Sequence, residues 1–88
     1  EPKAVQAFTV KVLPNPSTDA FTLITASDNM MPLTIRVLNT LGALVEMKAR
    51  VPANGSLKLG VNYRPGVYYA EINQGTEKVV LKLIKQAN

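Results

Sequence analysis

The sequence predicts an all-β domain, and three observations support this prediction. Apolar and polar residues alternate along most of the 88-residue chain, which is the period of a β-strand. No window of about eleven residues or more shows the spacing of three to four that an amphipathic helix requires. Pro, Gly and Asn separate the alternating segments at short intervals, as expected of turns between strands.

Seven segments have this pattern, and each has the length of an ordinary strand. Their number and the regular turn signals between them favour an immunoglobulin-like antiparallel β-sandwich over a closed barrel. A chain of 88 residues is large enough for one core and therefore forms a single domain. The predicted strands, in order, are Phe8–Leu13, Ala20–Thr25, Leu33–Asn39, Ala43–Val51, Ser56–Val61, Gly66–Asn73 and Glu77–Lys85.

Turn-forming residues justify the ends of these strands. Pro14 and Pro16 lack a ladder donor, so the first strand is expected to end before them. The segment Asn39-Thr40-Leu41-Gly42 places Asn and Gly where a turn tolerates positive φ. Asn54-Gly55 predicts a two-residue hairpin between the fourth and fifth strands. Further turns are predicted at Arg64-Pro65-Gly66 and Asn73-Gln74-Gly75-Thr76.

Alternation along each strand also predicts which side chains form the core. The last strand is apolar on both faces, so we expect it to be buried more than its neighbours or to dock against another surface. The side chains predicted to face inward are Phe21, Leu23, Leu33, Ile35, Val37, Val45, Met47, Ala49, Leu57, Leu59, Val61, Tyr68, Ala70 and Ile72. Those predicted to face solvent are Thr34, Arg36, Glu46, Lys48, Lys58, Tyr69 and Glu71.

Composition argues against catalysis. The chain contains no His, no Cys and no Trp, so the commonest general base, the strongest nucleophile and the usual transition-metal ligands are missing. The sequence therefore predicts a non-enzyme with no cofactor and no metal site. The net charge of +4 comes from lysines spread over many strands, which does not predict nucleic-acid binding. No apolar run approaches the roughly 20 residues of a transmembrane segment.

Four short segments in a fixed order carry a resemblance to a known family. The first is Pro14-Asn15-Pro16-Ser17, which precedes a strand, and the second is Leu38-Asn39-Thr40-Leu41-Gly42. The third is Gly66-Val67-Tyr68, and the chain closes with a run of lysines and apolar residues from Lys78 to Lys85. Their order and spacing resemble the C-terminal sorting domain of type IX secretion (the Por secretion system), type A, from about residue 10 to residue 85.

The resemblance implies a non-catalytic signal that directs a cargo protein across the outer membrane of a Gram-negative bacterium. Residues 10–88 would be the sorting domain, and residues 1–9 a linker remnant with the start of the first strand. The implied partners are the outer-membrane translocon, its shuttle protein, a sortase and an N-terminal cargo domain of the parent protein. The implied destination, reached through the periplasm, is the cell surface or the medium. Cleavage then usually leads to release or surface attachment.

The last strand is the predicted recognition element. Exposed lysines and apolar residues at a strand edge suit recognition by edge pairing or by docking of the outer face. An alternative is that this strand is simply the central strand of the sandwich. The residues predicted to contact the translocon are Lys78, Val80, Lys82, Ile84 and Lys85, and deletion of Lys82–Asn88 is expected to abolish export. The family-motif residues expected to be structural are Pro14, Asn15, Pro16, Gly42, Gly66 and Tyr68.

A second function stays open at this point. An immunoglobulin-like sandwich also serves as an accessory or spacer module of a surface glycosidase or adhesin, since one fold hosts many functions. Such a module could bind carbohydrate weakly if Tyr63, Tyr68 and Tyr69 shared an exposed face. Tyr68 and Tyr69 are neighbours on one strand and so point to opposite sides, which favours packing over sugar stacking.

Overall fold

The computed structural model describes residues 8–87, and within them it contains seven strands and no helix. The turn signals and the alternation of apolar residues place most strand ends within two residues of the prediction. Three strands have the predicted bounds. The strands are β1 (Phe8–Leu13), β2 (Phe21–Ser27), β3 (Leu33–Asn39), β4 (Leu44–Val51), β5 (Gly55–Leu59), β6 (Gly66–Gln74) and β7 (Glu77–Lys85).

The strands form two antiparallel sheets that face each other. One sheet has the order β1-β2-β5, and the other has the order β4-β3-β6-β7. The hairpins β1–β2, β3–β4 and β6–β7 stay within a sheet, whereas the connections β2–β3, β4–β5 and β5–β6 cross between the sheets. This arrangement confirms the predicted all-β, immunoglobulin-like sandwich.

The core lies between the sheets, where the alternating apolar residues of both meet. Phe21 and Leu23 of β2 and Ile35 of β3 have no exposed surface. The inward-facing prediction is confirmed for nine residues that are buried in the structure and that belong to β2, β3, β5 and β6. They are Phe21, Leu23, Leu33, Ile35, Val37, Leu59, Tyr68, Ala70 and Ile72.

The predicted hairpin at Asn54-Gly55 is wrong, because β4 and β5 belong to different sheets. Gly55 instead begins β5 and pairs with Thr25 of β2. The Asn54 side chain extends this pairing, since its Oδ1 accepts from Ser27 N at 2.9 Å and its Nδ2 donates to Ser27 O at 3.2 Å. Asn54 therefore attaches the connection between β4 and β5 to the end of β2, in the three-stranded sheet, and does not close a hairpin.

The predicted faces of β4 are reversed. Val45, Met47 and Ala49 are exposed, whereas Glu46 and Lys48 are half-buried. The register explains the reversal, because Glu46 lies opposite Val37 and Lys48 opposite Ile35, and paired residues share a face. β4 lies at the edge of a four-stranded sheet that faces a sheet of only three strands, so its inner face tolerates polar residues.

The end of β5 also differs from the prediction. The strand ends at Leu59, and Val61, predicted to face inward, is 58% exposed. The chain bends at Gly60, which has a φ of +80°. A Cβ atom at this position would lie 2.9 Å from Cδ2 of Phe21, so the close approach of the chain to the core requires glycine.

Candidate recognition site

The predicted recognition strand, β7, lies at the edge of the four-stranded sheet and pairs with β6. It is therefore not the central strand of the sandwich, and it is not buried more than its neighbours. Its inward face contributes Leu83, which has no exposed surface, together with Val79 and Leu81, which pack against the core. The inward face of β7 thus stabilises the domain, and only the outward face and the free edge are accessible to a partner.

The outward face of β7 carries three exposed side chains in a row: Lys78, Val80 and Lys82. Val80 is 52% exposed and pairs with Glu71 of β6. The Glu71 carboxylate lies 3.6 Å from the Arg36 guanidinium on the neighbouring strand. On the outer surface of the sheet, Val80 therefore lies between two lysines and beside the ion pair of Arg36 and Glu71.

The other two predicted contact residues lie differently. Ile84 is half-buried on the outward face, opposite Val67 of β6. Lys85 is only 6% exposed, and its side chain points into the sandwich. Its Nζ atom donates to the carbonyl oxygens of Asp19 and Gly60, each at 2.5 Å, and of Val61 at 3.3 Å. Lys85 thus joins the end of β7 to the segment before β2 and to the segment after β5.

The family-motif residues Pro14, Asn15 and Pro16 belong to a turn that closes part of the free edge of β7. Asn15 Nδ2 donates to Lys82 O at 2.7 Å, and Asn15 Oδ1 accepts from Ile84 N at 3.0 Å. The side chain of Asn15 therefore imitates the backbone of a paired strand. We refer to residues 14–17 as the edge turn.

Ser17 continues this closure with its own backbone. Its N–H donates to Ile84 O at 3.0 Å, and its carbonyl accepts from Gln86 N at 2.8 Å, in a parallel bridge. The side chain of Ser17 is occupied within the turn, where its Oγ donates to Ala20 O at 2.8 Å. The second half of β7 is consequently paired on both sides.

The first half of β7 keeps an open edge. Backbone groups alternate in direction along an antiparallel strand, so Lys78 and Val80 point their N–H and C=O groups the same way as Ile84, away from β6. Within residues 8–87, no hydrogen bond to these edge groups of Lys78 and Val80 is found. A free strand edge of this kind is a template for another extended chain.

Gly42 completes a tight turn between β3 and β4. Its φ is +84°, in the left-handed region that glycine adopts readily. Asn39 organises the turn: its Oδ1 accepts from Leu41 N at 2.9 Å and from Ala43 N at 3.0 Å. Two backbone hydrogen bonds also close the turn: Gly42 N donates to Asn39 O at 3.0 Å, and Asn39 N donates to Ala43 O at 2.9 Å. These four hydrogen bonds fix the turn and present the side chain of Leu41 to solvent.

Gly66 and Tyr68 begin β6 next to the end of β7, with Gly66 opposite Lys85 and Tyr68 opposite Leu83. The Tyr68 hydroxyl donates to Arg64 O, four residues upstream, at 2.7 Å. This is the tyrosine corner of immunoglobulin-like domains, which fixes the chain where it enters the strand. This hydrogen bond gives Tyr68 a role within the fold.

The tyrosines do not form a sugar-stacking platform. Tyr68 is buried and packs against Tyr63, with ring centroids 4.7 Å apart, whereas Tyr69 lies on the outer face of the sheet. The Tyr63 hydroxyl donates to Glu46 Oε1 at 2.7 Å. Burial, with this hydrogen bond and the nearby Glu46 charge, raises the pKa of Tyr63 well above its usual value. Tyr63 therefore stays protonated and acts as a hydrogen-bond donor.

Nothing in the described part of the chain assembles a catalytic or metal-binding constellation. Among residues 8–87, no group of three or more acidic, His or Cys side chains could hold a metal ion. In the same residues, no helix suited to crossing a membrane is found. The polar side chains that converge are those of the edge turn and of Lys85, and they bind backbone groups of the domain itself.

The sequence was compared with protein families and with curated proteins. The sequence model of the secretion system C-terminal sorting domain family matches residues 11–86, nearly the whole chain. A search of curated proteins finds no match to the chain. The matched region begins in β1 and includes the edge turn, the Gly42 turn, the tyrosine corner and β7. The chain therefore belongs to the secretion system C-terminal sorting domain family, whose members are sorting signals for type IX secretion.

Proposed function

We propose that the chain directs a cargo fused ahead of β1 across the outer membrane, and that the type IX machinery recognises the outward face and open edge of β7. The observation that supports this proposal is the division of β7 into two halves. Its second half is closed by the edge turn, whereas the first half presents an open edge beside the exposed Val80. Recognition is thereby limited to a short stretch of the strand.

Edge pairing and face docking act together in this proposal. Main-chain hydrogen bonds to Lys78 and Val80 provide affinity, and the side chains of the outward face provide specificity. Lys78 and Lys82 discourage pairing with other copies, because like charges repel along a shared edge. Ile84 extends the contact surface at its half-buried position. Lys85 serves recognition indirectly, by holding the end of β7 in place.

The remaining steps follow the family pattern. The shuttle protein and the outer-membrane translocon receive the folded domain, and a sortase cleaves ahead of β1. The cargo is then released to the medium or attached to the surface of a Gram-negative cell. The linker predicted at residues 1–9 falls mostly on residues 1–7, which lie outside the described residues.

The test is export of a fluorescent reporter that carries a signal peptide and this chain at its C-terminus. It is measured in a host with type IX secretion and in a translocon-null strain of that host. Translocon-dependent appearance of the reporter at the surface or in the medium supports the sorting function. Periplasmic retention in both strains contradicts it and favours the accessory module.

Point variants test the contact surface better than a deletion. Removing Lys82–Asn88 also removes the buried Leu83 and Lys85, so we expect this deletion to unfold the domain. Val80→Asp changes a side chain that is 52% exposed, and Ile24→Asp on the other sheet, 41% exposed, is its matched control. We expect a loss of export of about tenfold for Val80→Asp, which corresponds to about 1.4 kcal/mol of binding free energy, and normal export for Ile24→Asp. Normal export of Val80→Asp would contradict recognition through this face.

A further inference from the structure

The turns of the sandwich are divided between its two ends. Leu13 of β1 pairs with Thr22, and Gly66 of β6 pairs with Lys85, so the end of β1 and the end of β7 adjoin turns. The bonds from Lys85 to the opposite sheet bring these turns to one end of the molecule. We call it the C-terminal pole. It contains the edge turn, the β3–β4 turn, the β5–β6 connection and the end of β7.

The opposite end is where the chain enters the sandwich. Phe8, the first residue of β1, pairs with Ser27, the last residue of β2. The β6–β7 hairpin turn at Gly75 lies at the same end, because Gln74 pairs with Glu77 there. A cargo fused ahead of β1 is therefore attached at this entry pole, and the C-terminal pole faces away from it.

All four segments that carry the family resemblance reach the C-terminal pole, and each has a residue with an internal role there. Asn15 closes the edge of β7, Tyr68 forms the tyrosine corner and Lys85 binds carbonyls across the sandwich. In the segment Leu38–Gly42, Asn39 organises the turn, whereas the side chain of Leu41 is 91% exposed. Packing within the domain does not account for an apolar side chain at this position.

The backbone that carries Leu41 is nevertheless fixed by hydrogen bonds. The Asn39 side chain accepts from Leu41 N and Ala43 N, and Gly42 adopts the left-handed φ of +84° that the turn requires. Binding through Leu41 therefore requires ordering of its side chain but not of the turn, which favours it as an anchor. Val61 and Leu13, 58% and 56% exposed, add apolar surface at the same pole.

We propose that Leu41 is an apolar anchor that inserts into an apolar pocket of the outer-membrane receptor for this domain. The inference rests on the proposed sorting function and adds a second contact to the one on β7. The receptor is the occupant favoured by the geometry, because cargo attached at the entry pole leaves the C-terminal pole unobstructed. A receptor can therefore bind this end of the folded signal while the cargo is still attached.

The test compares two substitutions at Leu41 with one at the entry pole. Leu41→Asn removes the apolar group, Leu41→Met keeps it, and Met30→Asn changes a side chain that is 76% exposed in the β2–β3 connection. We expect Leu41→Asn to lower reporter export about fivefold, which corresponds to a loss of about 1 kcal/mol of binding free energy. Leu41→Met and Met30→Asn should export normally, and all three should keep the melting temperature of the parent.

A photo-crosslinking amino acid at position 41, and separately at position 30, identifies what the anchor touches. A crosslink from position 41 to an outer-membrane protein, absent from position 30 and from the translocon-null strain, supports the proposal. A crosslink to a second copy of the domain overturns it. Normal export of Leu41→Asn, while export of the parent depends on the translocon, overturns the anchor alone. Export of the parent that does not depend on the translocon overturns the sorting function itself.

Discussion

Replacement of Lys85 by Met should strongly destabilise the domain. The Lys85 ammonium is buried and donates to three backbone carbonyls, of Asp19, Gly60 and Val61. Met keeps an apolar stem of similar length, so the change removes the hydrogen bonds while leaving the packing nearly intact. The carbonyls then lose their partner inside the sandwich, which is costly for a buried polar group.

The expected magnitude follows from these contacts. A hydrogen bond to a charged group contributes about 1.5–3 kcal/mol net, and burial of the ammonium offsets part of the sum. The bond to Val61, at 3.3 Å, is long and contributes least. We therefore expect the free energy of unfolding to fall by about 3 kcal/mol, a large part of the roughly 5–10 kcal/mol of a small domain. The corresponding fall in melting temperature is about 15 °C.

Urea denaturation and thermal melting followed by circular dichroism measure this loss. The matched control is Lys82→Met, on the same strand but exposed, for which we expect a change within about 0.5 kcal/mol. If Lys85→Met is as stable as Lys82→Met, the carbonyl contacts of Lys85 do not stabilise the fold and the reasoning is refuted.

Two further predictions concern the edge turn and the Glu46 pair. Asn15→Ala removes two hydrogen bonds to β7, so we expect a loss of about 1–2 kcal/mol by urea denaturation and faster amide exchange at Ile84; unchanged exchange would contradict closure by Asn15. The raised pKa of Tyr63 means that the folded protein keeps this proton above about pH 10, where the unfolded chain loses it. Stability from this group is therefore present below pH 10 and lost as pH rises further. When the pH is raised from about 9 to 11, the free energy of unfolding should fall less in Tyr63→Phe than in the parent protein. Equal losses in the two proteins would contradict a raised pKa for Tyr63.

Local patterns predicted the strands and most of the core. Alternation and turn residues depend on neighbours along the chain, and these signals placed β3 and β7 at their observed bounds. The faces of Phe21 and Leu23 were also predicted, because two large apolar residues alternate there with the polar Thr22. The same signals located the four family segments, although not the contacts that they make in space.

The predictions were wrong where a residue's pairing or burial depends on the sheet to which its strand belongs. The local sequence pattern does not report sheet membership. Asn54-Gly55 has the sequence of a hairpin, but its flanking strands separate into different sheets. Glu46 faces inward and Met47 faces outward, the reverse of the prediction. β4 is the edge strand of the larger sheet, where a polar side chain is tolerated on the inner face. Lys85 was predicted to contact a partner because it is charged, although alternation places it on the same face as the buried Leu83. Its burial depends on carbonyls far away in the sequence, such as that of Gly60, which no local signal reports.

In the proposed function, stability and recognition depend on different faces of one strand. Leu83 and Lys85 point into the sandwich and, with Asn15 of the edge turn, hold the second half of β7. Val80 and Lys78 point outward on the half that stays open. These contacts join residues near both ends of the chain. We therefore expect the first half of β7 to keep its position in the sheet only when the last residues of the strand are packed. Loss of export on truncation therefore cannot distinguish a lost contact from a lost fold, whereas outward substitutions such as Val80→Asp separate the two.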